Sequence, residues 1–157
     1  MSVVLFRIDD RLVHGQVMTA WSKIYRTNRI FVVDNNTAND RFLCDVMKMS
    51  VPGEYTVTIL NNADAAERIS SDPADVKTMV LMKTPATAKA LIDAGVVMPQ
   101  LNVGNIGAGA GRKPVLRNIQ LSPAEYNTLC EIAAGGVRVF LQIFPDGKSV
   151  EWDKVSY

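Results

Sequence analysis

Ten consecutive residues, 7–16, bring together the side chains of this chain that are best suited to chemistry. They include Asp9, Asp10, two arginines and His14, which is the single histidine of the chain. A neutral imidazole is a nucleophile, and a guanidinium offers paired donors that suit phosphate oxygens. The combination favours phosphoryl transfer at His14. The plainer alternative is a histidine that caps a helix or lies half-buried at the surface.

The position of His14 strengthens the phosphoryl-transfer interpretation, because a predicted strand meets a predicted helix there. Gly15 lets the backbone approach a ligand closely, and we expect the amides of Gly15 and Gln16 to face it. A helix N-terminus attracts anions, and Arg11 adds a positive charge three residues before His14. Both features disfavour imidazolium, so we expect His14 to be neutral at about pH 7 and its phosphoryl form to be stabilised.

The neighbouring charges have alternative roles. Either Asp9 or Asp10 can accept the second ring N–H of His14 and so fix its tautomer. Either can instead form a salt bridge to Arg7 or Arg11, or serve as an acid at the helix entry. Arg7 ends a predicted buried strand, which favours a structural role for it.

Short runs rich in Val and Ile alternate with amphipathic segments along the chain. We predict strands at residues 3–7, 30–34, 55–60, 78–82, 101–104, 118–121 and 137–143. Helices are predicted from apolar stripes (Val13, Val17, Ala20, Trp21, Ile24; Phe42, Leu43, Val46, Met47; Ala65, Ala66, Ile69) and from caps at Thr84-Pro85 and Ser122–Glu125. The pattern predicts an α/β fold in one domain, 1–157: a three-layer, doubly wound, mainly parallel sheet with helices on both faces. Turn residues at 144–148 predict a C-terminal antiparallel edge hairpin.

Composition excludes several classes of protein. The chain has 157 residues, is 48% apolar and carries a net charge of +1, which indicates a globular domain and no nucleic-acid groove. No apolar run approaches the roughly 18–20 residues of a membrane span, and we expect a cytoplasmic protein without a signal peptide. One histidine and the dispersed Cys44 and Cys130 give no metal site. We expect both cysteines to be reduced core residues rather than phosphocysteine nucleophiles.

Other polar residues are expected at the carboxyl ends of the strands, where doubly wound sheets carry their sites. Lys83 and Thr84 follow the fourth strand, and Thr84 is also a plain helix cap. The glycine-rich segment 105–113 fits neither the dinucleotide nor the P-loop spacing. We interpret it as a mobile flap, or as a basic lip through which Arg112 and Lys113 contact a partner.

The string RIDDRLVHGQV at residues 7–17 resembles the active-site signature of the IIB components of the bacterial phosphotransferase system, mannose/fructose/sorbose class. Similarity continues through LMKTP at 81–85 and NVGN at 102–105 to the final hairpin, and so covers essentially the whole chain. The resemblance implies that a IIA component phosphorylates His14. It further implies that His14 passes the phosphoryl group to a sugar held by membrane components IIC and IID, and that Arg11 stabilises the phosphate.

The same resemblance implies a protein-N(pi)-phosphohistidine–sugar phosphotransferase, cytoplasmic and peripherally associated with the membrane permease. Neither a metal nor an organic cofactor is implied. A nucleotide- or flavin-binding enzyme that uses the same sheet edge is one rival hypothesis. A regulatory module that keeps the fold without the sugar flux is the other. The sequence leaves open which aspartate contacts His14 and which ring nitrogen is phosphorylated.

Overall fold

A computed structural model describes residues 2–15 and 17–157, so the predicted phosphate contact of Gln16 lies outside the described residues. The strands are β1 (Val3–Asp9), β2 (Arg29–Val33), β3 (Thr56–Leu60), β4 (Thr78–Met82), β5 (Gln100–Asn105), β6 (Lys113–Leu116), β7 (Ile119–Leu121), β8 (Arg138–Leu141) and β9 (Val150–Glu151). The helices are α1 (Ser22–Tyr25), α2 (Asn35–Ala38), α3 (Arg41–Met49), α4 (Asn62–Ser71), α5 (Pro85–Asp93) and α6 (Pro123–Ala134). A π-helical turn (Val17–Trp21) precedes α1, and a 3-10 turn (Trp152–Lys154) follows β9.

The main sheet has the strand order β3-β2-β4-β1-β5-β8-β9. Its neighbouring strands are parallel except for β9, which pairs antiparallel with β8 at the edge. The predicted mainly parallel sheet with an antiparallel C-terminal edge is therefore confirmed. Strand β1 lies in the middle of the sheet between β4 and β5, which places its carboxyl end at the centre of one sheet edge.

Helices cover both faces of this sheet, because its strands are apolar on both sides. On one face, Phe6 and Ile8 of β1 belong to the core formed with α4, α5 and α6. On the other face, Leu5 packs in a cluster with Val17 and Trp21 of the π-helical turn. Burial of each such side chain contributes about 1.5–3 kcal/mol, which holds the strand that carries the site. Within the described ranges, no helix has the length and apolar character needed to cross a membrane.

The predicted cap signals are confirmed. Thr84 accepts a hydrogen bond from the amide of Thr87 at the start of α5. Ser122 and Glu125 form a reciprocal capping box at the start of α6. Cys44 and Cys130 lie in helices and are free, but both are half-buried rather than fully buried as we expect of core residues.

Two apolar stripes differ from the prediction. Phe42, Leu43 and Val46 of α3 are exposed, Phe42 by 74%, and Ile24 of α1 is exposed as well. Helix α3 follows β2 and runs beside the edge strand β3, and Met47 is its residue that packs against the core. The remaining apolar residues of this stripe point away from the sheet and are exposed.

The C-terminal third contains two further differences. Residues 118–121 do not join the main sheet, because β7 pairs with β6 in a separate antiparallel pair around a turn at Asn118 with φ +63°. Strand β8 ends at Leu141 instead of 143. The carbonyls of Gln142 and Ile143 accept hydrogen bonds from side chains of the site described next.

Candidate active site

A tight turn leads from β1 to His14. The amide of Leu12 donates to the carbonyl of Asp9 at 2.9 Å, and Leu12 has φ +56°, a left-handed conformation that costs a non-glycine residue energy. The Leu12 side chain is buried in the apolar cluster beneath the turn, which offsets that cost. The turn therefore presents His14 at the carboxyl edge of the sheet.

The helix that follows contains a π-helical turn at Val17–Trp21. The amide of Val17 points at Nδ1 of His14, with an N···N distance of 3.4 Å. The carbonyl of Met18 accepts hydrogen bonds from the hydroxyls of Ser22 and Tyr55. Single π-turns are rare and are frequent at functional sites. An added Cβ at Gly15 would meet no atom within 4 Å, so the space beside His14 is open there.

Asp9, and not Asp10, contacts the imidazole. The Asp9 carboxylate is fully buried, and its Oδ2 lies 3.3 Å from Nε2 of His14. Arg11 donates to both carboxylate oxygens, from Nε at 3.0 Å and from Nη2 at 3.1 Å. Arg7 donates to Oδ2 at 3.2 Å. Asp9 therefore has both of the roles considered for it, since it forms salt bridges and also lies against His14.

Asp10 points to a different neighbour. Its Oδ1 accepts a hydrogen bond from the amide side chain of Asn105 at 2.6 Å, and its Oδ2 accepts one from the amide of Gly107 at 2.8 Å. Asp10 thus anchors the glycine-rich loop to the end of β1. The predicted orienting contact to His14 is made by Asp9 instead of Asp10.

Arg7 is buried beneath Asp9, with 1% of its side chain exposed. Its guanidinium donates to the side chain of Asn102 and to the carbonyls of Gln142 and Ile143, and it lies 4.8 Å from the centroid of the Trp21 ring. Burial lowers the pKa of Arg7 to about 10, partly opposed by Asp9, so the group stays charged at neutral pH. Arg7 is buried, in keeping with a structural role. It also forms an ion pair with Asp9, the carboxylate that lies against His14, which the sequence did not predict.

Two residues of β5 indicate the Arg7 site in the sequence, although they were not among the predicted site residues. Asn102 and Gly104 interrupt an otherwise apolar buried strand, and a Cβ at Gly104 would lie 2.0 Å from Cζ of Arg7. A polar residue and a glycine in such a strand indicate a buried polar partner and a close approach.

The pKa of His14 is lowered from its ordinary value of 6.5. Burial is the largest cause; Asp9 opposes the shift, and Arg11 and Arg7 add to it. The expected neutral imidazole is confirmed in direction, but burial outweighs Arg11 as its cause. Nδ1 accepts the hydrogen of the Val17 amide, so it is the nitrogen with the lone pair, and Nε2, which lies 3.3 Å from the Asp9 carboxylate without a formed hydrogen bond, carries the proton.

The remaining predicted contact residues follow β4 and β5, the two strands that flank β1. Lys83 is exposed directly after β4, whose end is paired with β1 at Met82 and Ile8. Thr84 caps α5. Arg112 forms a two-pronged ion pair with Glu125 at 2.9 and 3.0 Å and donates to the carbonyl of Gly107.

The ammonium of Lys113 lies 4.1 Å from the centroid of the Tyr157 ring. Both basic residues of the glycine-rich segment are therefore engaged within the chain. Lys113 is also the first residue of β6, so the flap interpretation is wrong for that position.

Comparison with known proteins places this geometry in a family. Residues 3–156 match the family model described as "PTS system sorbose subfamily IIB component". The fructose-specific EIIB component of Bacillus subtilis (strain 168) is 26% identical over 156 residues, which are 99% of this chain and 96% of that protein. The mannose-specific EIIAB component of Escherichia coli (strain K12) is 28% identical over 141 residues, 88% of this chain and 43% of that longer protein.

A solved structure agrees with these matches. The crystal structure of the IIBSor domain of the sorbose permease from Klebsiella pneumoniae superimposes with a TM-score of 0.90 at 28% identity. The superposition covers 98% of this chain and 96% of that domain.

Proposed function

The chain belongs to the sorbose-subfamily IIB components of the phosphotransferase system, and we propose that it carries a phosphoryl group on His14 between protein partners. The observation that carries this proposal is the pairing of His14 with Asp9. A buried carboxylate at Nε2 leaves the lone pair on Nδ1, on the side of the ring that faces the Val17 amide. A neutral imidazole held in this way is ready to attack phosphorus.

The transfer needs in-line geometry and charge stabilisation rather than a bound cofactor. Nδ1 attacks the phosphorus of a phosphohistidine on a IIA component; the new N–P bond forms as the old one breaks, and the electron pair stays on the donor nitrogen. Asp9 stabilises the positive charge that then develops on the His14 ring. In the second transfer a sugar hydroxyl attacks the phosphorus, its proton leaves to water or a base, and the electron pair returns to Nδ1.

Arg11 is the proposed phosphate-binding side chain. It is 38% exposed and lies beside His14 through its pairing with Asp9, so it can reach a phosphoryl group at the surface. The backbone around Gly15 leaves room for that group, and the Val17 amide offers a further donor.

The proposed partners follow from the family. The E. coli mannose relative carries IIA and IIB in its name, which supports a IIA component as the phosphoryl donor. Membrane components IIC and IID, with a sugar, are the proposed acceptor side, and residues 1–157 act as one cytoplasmic IIB domain at the permease. Exposed Lys83 with Thr84 on one side of His14, and Arg112 with Lys113 on the other, are the proposed contact residues.

Labelling with a phosphorylated IIA protein tests the function. We expect the wild-type chain to gain an acid-labile, base-stable phosphate, and His14→Ala to gain none. Cys44→Ser and Cys130→Ser serve as controls that keep the label, since neither thiol lies at the site. Labelling of His14→Ala would show that another residue is the acceptor.

Arg11→Ala tests the stabilising charge. Loss of one preorganised donor to a developing anion typically costs on the order of 100-fold in rate. We therefore expect transfer to slow by roughly that factor while circular dichroism and thermal unfolding stay close to wild type, because Arg11 is partly exposed. Unchanged kinetics would show that the backbone amides suffice.

A further inference from the structure

Two arginines share the carboxylate of Asp9, and they differ in their freedom to move. Arg11 belongs to the turn that carries His14 and is 38% exposed, whereas Arg7 belongs to the central strand and is 1% exposed. Arg11 donates to Asp9 through Nε and Nη2, and Arg7 donates through Nη2 alone. Nη1 and Nη2 of Arg7 also donate to groups outside the turn, whereas its Nε is buried without a hydrogen-bond partner.

We propose that Arg7 is a positioning residue that keeps the Asp9 carboxylate seated against His14 when Arg11 leaves Asp9 for the phosphoryl group. This inference rests on the proposed function, since it assigns a division of labour to the two arginines during transfer. Asp9 is the temporary partner of Arg11 and the permanent partner of Arg7.

Arg11 cannot give the same pair of donors to Asp9 and to a phosphoryl group on His14. The two nitrogens of an imidazole lie on opposite edges of the ring, so Asp9 at Nε2 and a phosphoryl group on Nδ1 are on opposite sides of His14. A planar guanidinium gives its paired donors to one oxyanion at a time. With Nε and Nη2 both on Asp9, Arg11 cannot hold the phosphoryl oxygens with the same pair of donors.

The fixed arginine makes that movement possible. A buried carboxylate needs a hydrogen-bonded cationic partner to keep its place, and Arg7 remains such a partner when Arg11 turns away. Arg7 stays in place because its guanidinium is held by Asn102, by the carbonyls of Gln142 and Ile143, and against the Trp21 ring. These partners belong to β5, to the segment after β8 and to the helix, so the turn can shift without displacing Arg7.

Glycine at position 104 offers a way to displace Arg7 while keeping every charge. A Cβ there would lie 2.0 Å from Cζ of Arg7 and 2.1 Å from Nη1. Gly104→Ala therefore pushes the guanidinium away from Asp9. Gly53→Ala is the matched control, because a Cβ at Gly53 would meet nothing within 4 Å.

Nitrogen NMR of the unphosphorylated protein gives the first readout. His14 is the single histidine, so the imidazole nitrogen signals of the labelled protein belong to it alone. We expect the Nε2–H tautomer in wild type, in Gly53→Ala and in Arg11→Ala, because Arg7 still holds Asp9 in all three. In the double variant Arg11→Ala/Gly104→Ala, in which neither arginine holds Asp9, we expect a mixture of the two neutral tautomers.

The rate of phosphoryl transfer from a phosphorylated IIA protein gives the second readout. We expect Gly104→Ala to slow transfer at least tenfold and Gly53→Ala to leave it unchanged. If Gly104→Ala does not fold, Arg7→Lys, which keeps the charge but loses the planar fork, is measured in the same way with the same expectation.

Each outcome separates this inference from the proposed function. A wild-type transfer rate in Gly104→Ala, or a wild-type tautomer in the double variant, would overturn the role of Arg7, and so would loss of the Nε2–H tautomer in Arg11→Ala. A wild-type protein that accepts no phosphoryl group from IIA would overturn the proposed function, while the tautomer comparison would still decide whether Arg7 positions Asp9.

Discussion

Burial is the main reason that His14 is neutral, and the charges around it shift its pKa in opposite directions. Asp9 favours the imidazolium, whereas Arg11 and Arg7 disfavour it. Burial is the largest of these causes and lowers the pKa of His14. The nucleophile is thus prepared by its position at the end of a buried strand as much as by its neighbours.

A pH profile tests this account of His14. Because its pKa lies below 6.5 in the folded chain, phosphoryl acceptance should stay at its plateau as pH falls through 6.5 and decline only at lower pH. Arg11→Ala should move the decline to higher pH, since Arg11 lowers that pKa. The unfolded chain binds the proton first, so stability also falls as pH drops from 6.5 through the folded pKa. A midpoint at or above 6.5 in wild type would contradict the burial of the ring.

The local part of this site was predictable from sequence, and the distant part was not. His14, Arg11 and the neutral imidazole follow from a few neighbouring residues. Successive residues of a strand point to opposite sides, so only one of Asp9 and Asp10 can face His14. Sequence alone does not fix which side of the strand end faces the histidine. The uncharged hydrogen-bond partners of Arg7 are 95 to 136 residues away along the chain, namely Asn102 and the carbonyls of Gln142 and Ile143.

At the scale of elements, the glycine-rich loop after β5 is tied down at both ends rather than free. Asp10 binds Asn105 and the amide of Gly107 at its start, and Arg112 binds the carbonyl of Gly107 and Glu125 at its end. The loop therefore forms a defined wall beside the strand that carries the site.

Amide hydrogen exchange tests the anchoring role of Asp10. Loss of a hydrogen bond to a charged acceptor costs about 1.5–3 kcal/mol. In Asp10→Ala we therefore expect the Gly107 amide to exchange roughly 10- to 100-fold faster, while β1 and β4 keep their protection. Asp146→Ala, which removes an exposed acid elsewhere, is the control. Unchanged exchange at Gly107 would show that Arg112 alone holds the loop.

Elements with a cap or a continuous apolar run were predicted well, and those defined by their neighbours were not. Strand β4 is buried at every residue and matches its predicted bounds, and α5 starts at its predicted cap. The apolar stripe of α3 resembles a core-facing helix, yet Phe42 is exposed because the sheet ends beside it. Residues 119–121 have strand character, but only tertiary structure decides that they pair with β6.

In the whole molecule, the proposed site and a stabilising ion pair lie at opposite edges of the main sheet. The carboxyl edge carries His14 and its charged neighbours. At the amino edge, Arg29 of β2 forms a paired ion bridge with Asp72, which follows α4. Ser2 and Thr78 donate further hydrogen bonds to the same carboxylate, so four segments meet there.

Asp72→Asn tests this division of the sheet. The Asp72 side chain is 2% exposed, so the variant leaves Arg29 without its charge partner. We expect the free energy of unfolding at neutral pH to fall by about 2–3 kcal/mol, since an unpaired buried group costs at least that much. Phosphoryl transfer at the opposite edge should keep its wild-type rate. Urea unfolding and the IIA labelling assay measure the two quantities, and Asp75→Asn, an exposed acid nearby, is the control.

The pH dependence of that stability difference identifies its cause. Burial alone would raise the pKa of Asp72, but hydrogen bonds and charge from Arg29, with Ser2 and Thr78, lower it below 3.8. A depressed carboxyl pKa contributes stability that is present above the unfolded value and lost as pH falls through the folded one. The gap between wild type and Asp72→Asn should therefore be constant above about pH 5 and shrink below about pH 4. A gap that persists unchanged in acid would assign the loss to packing instead of to the ion pair.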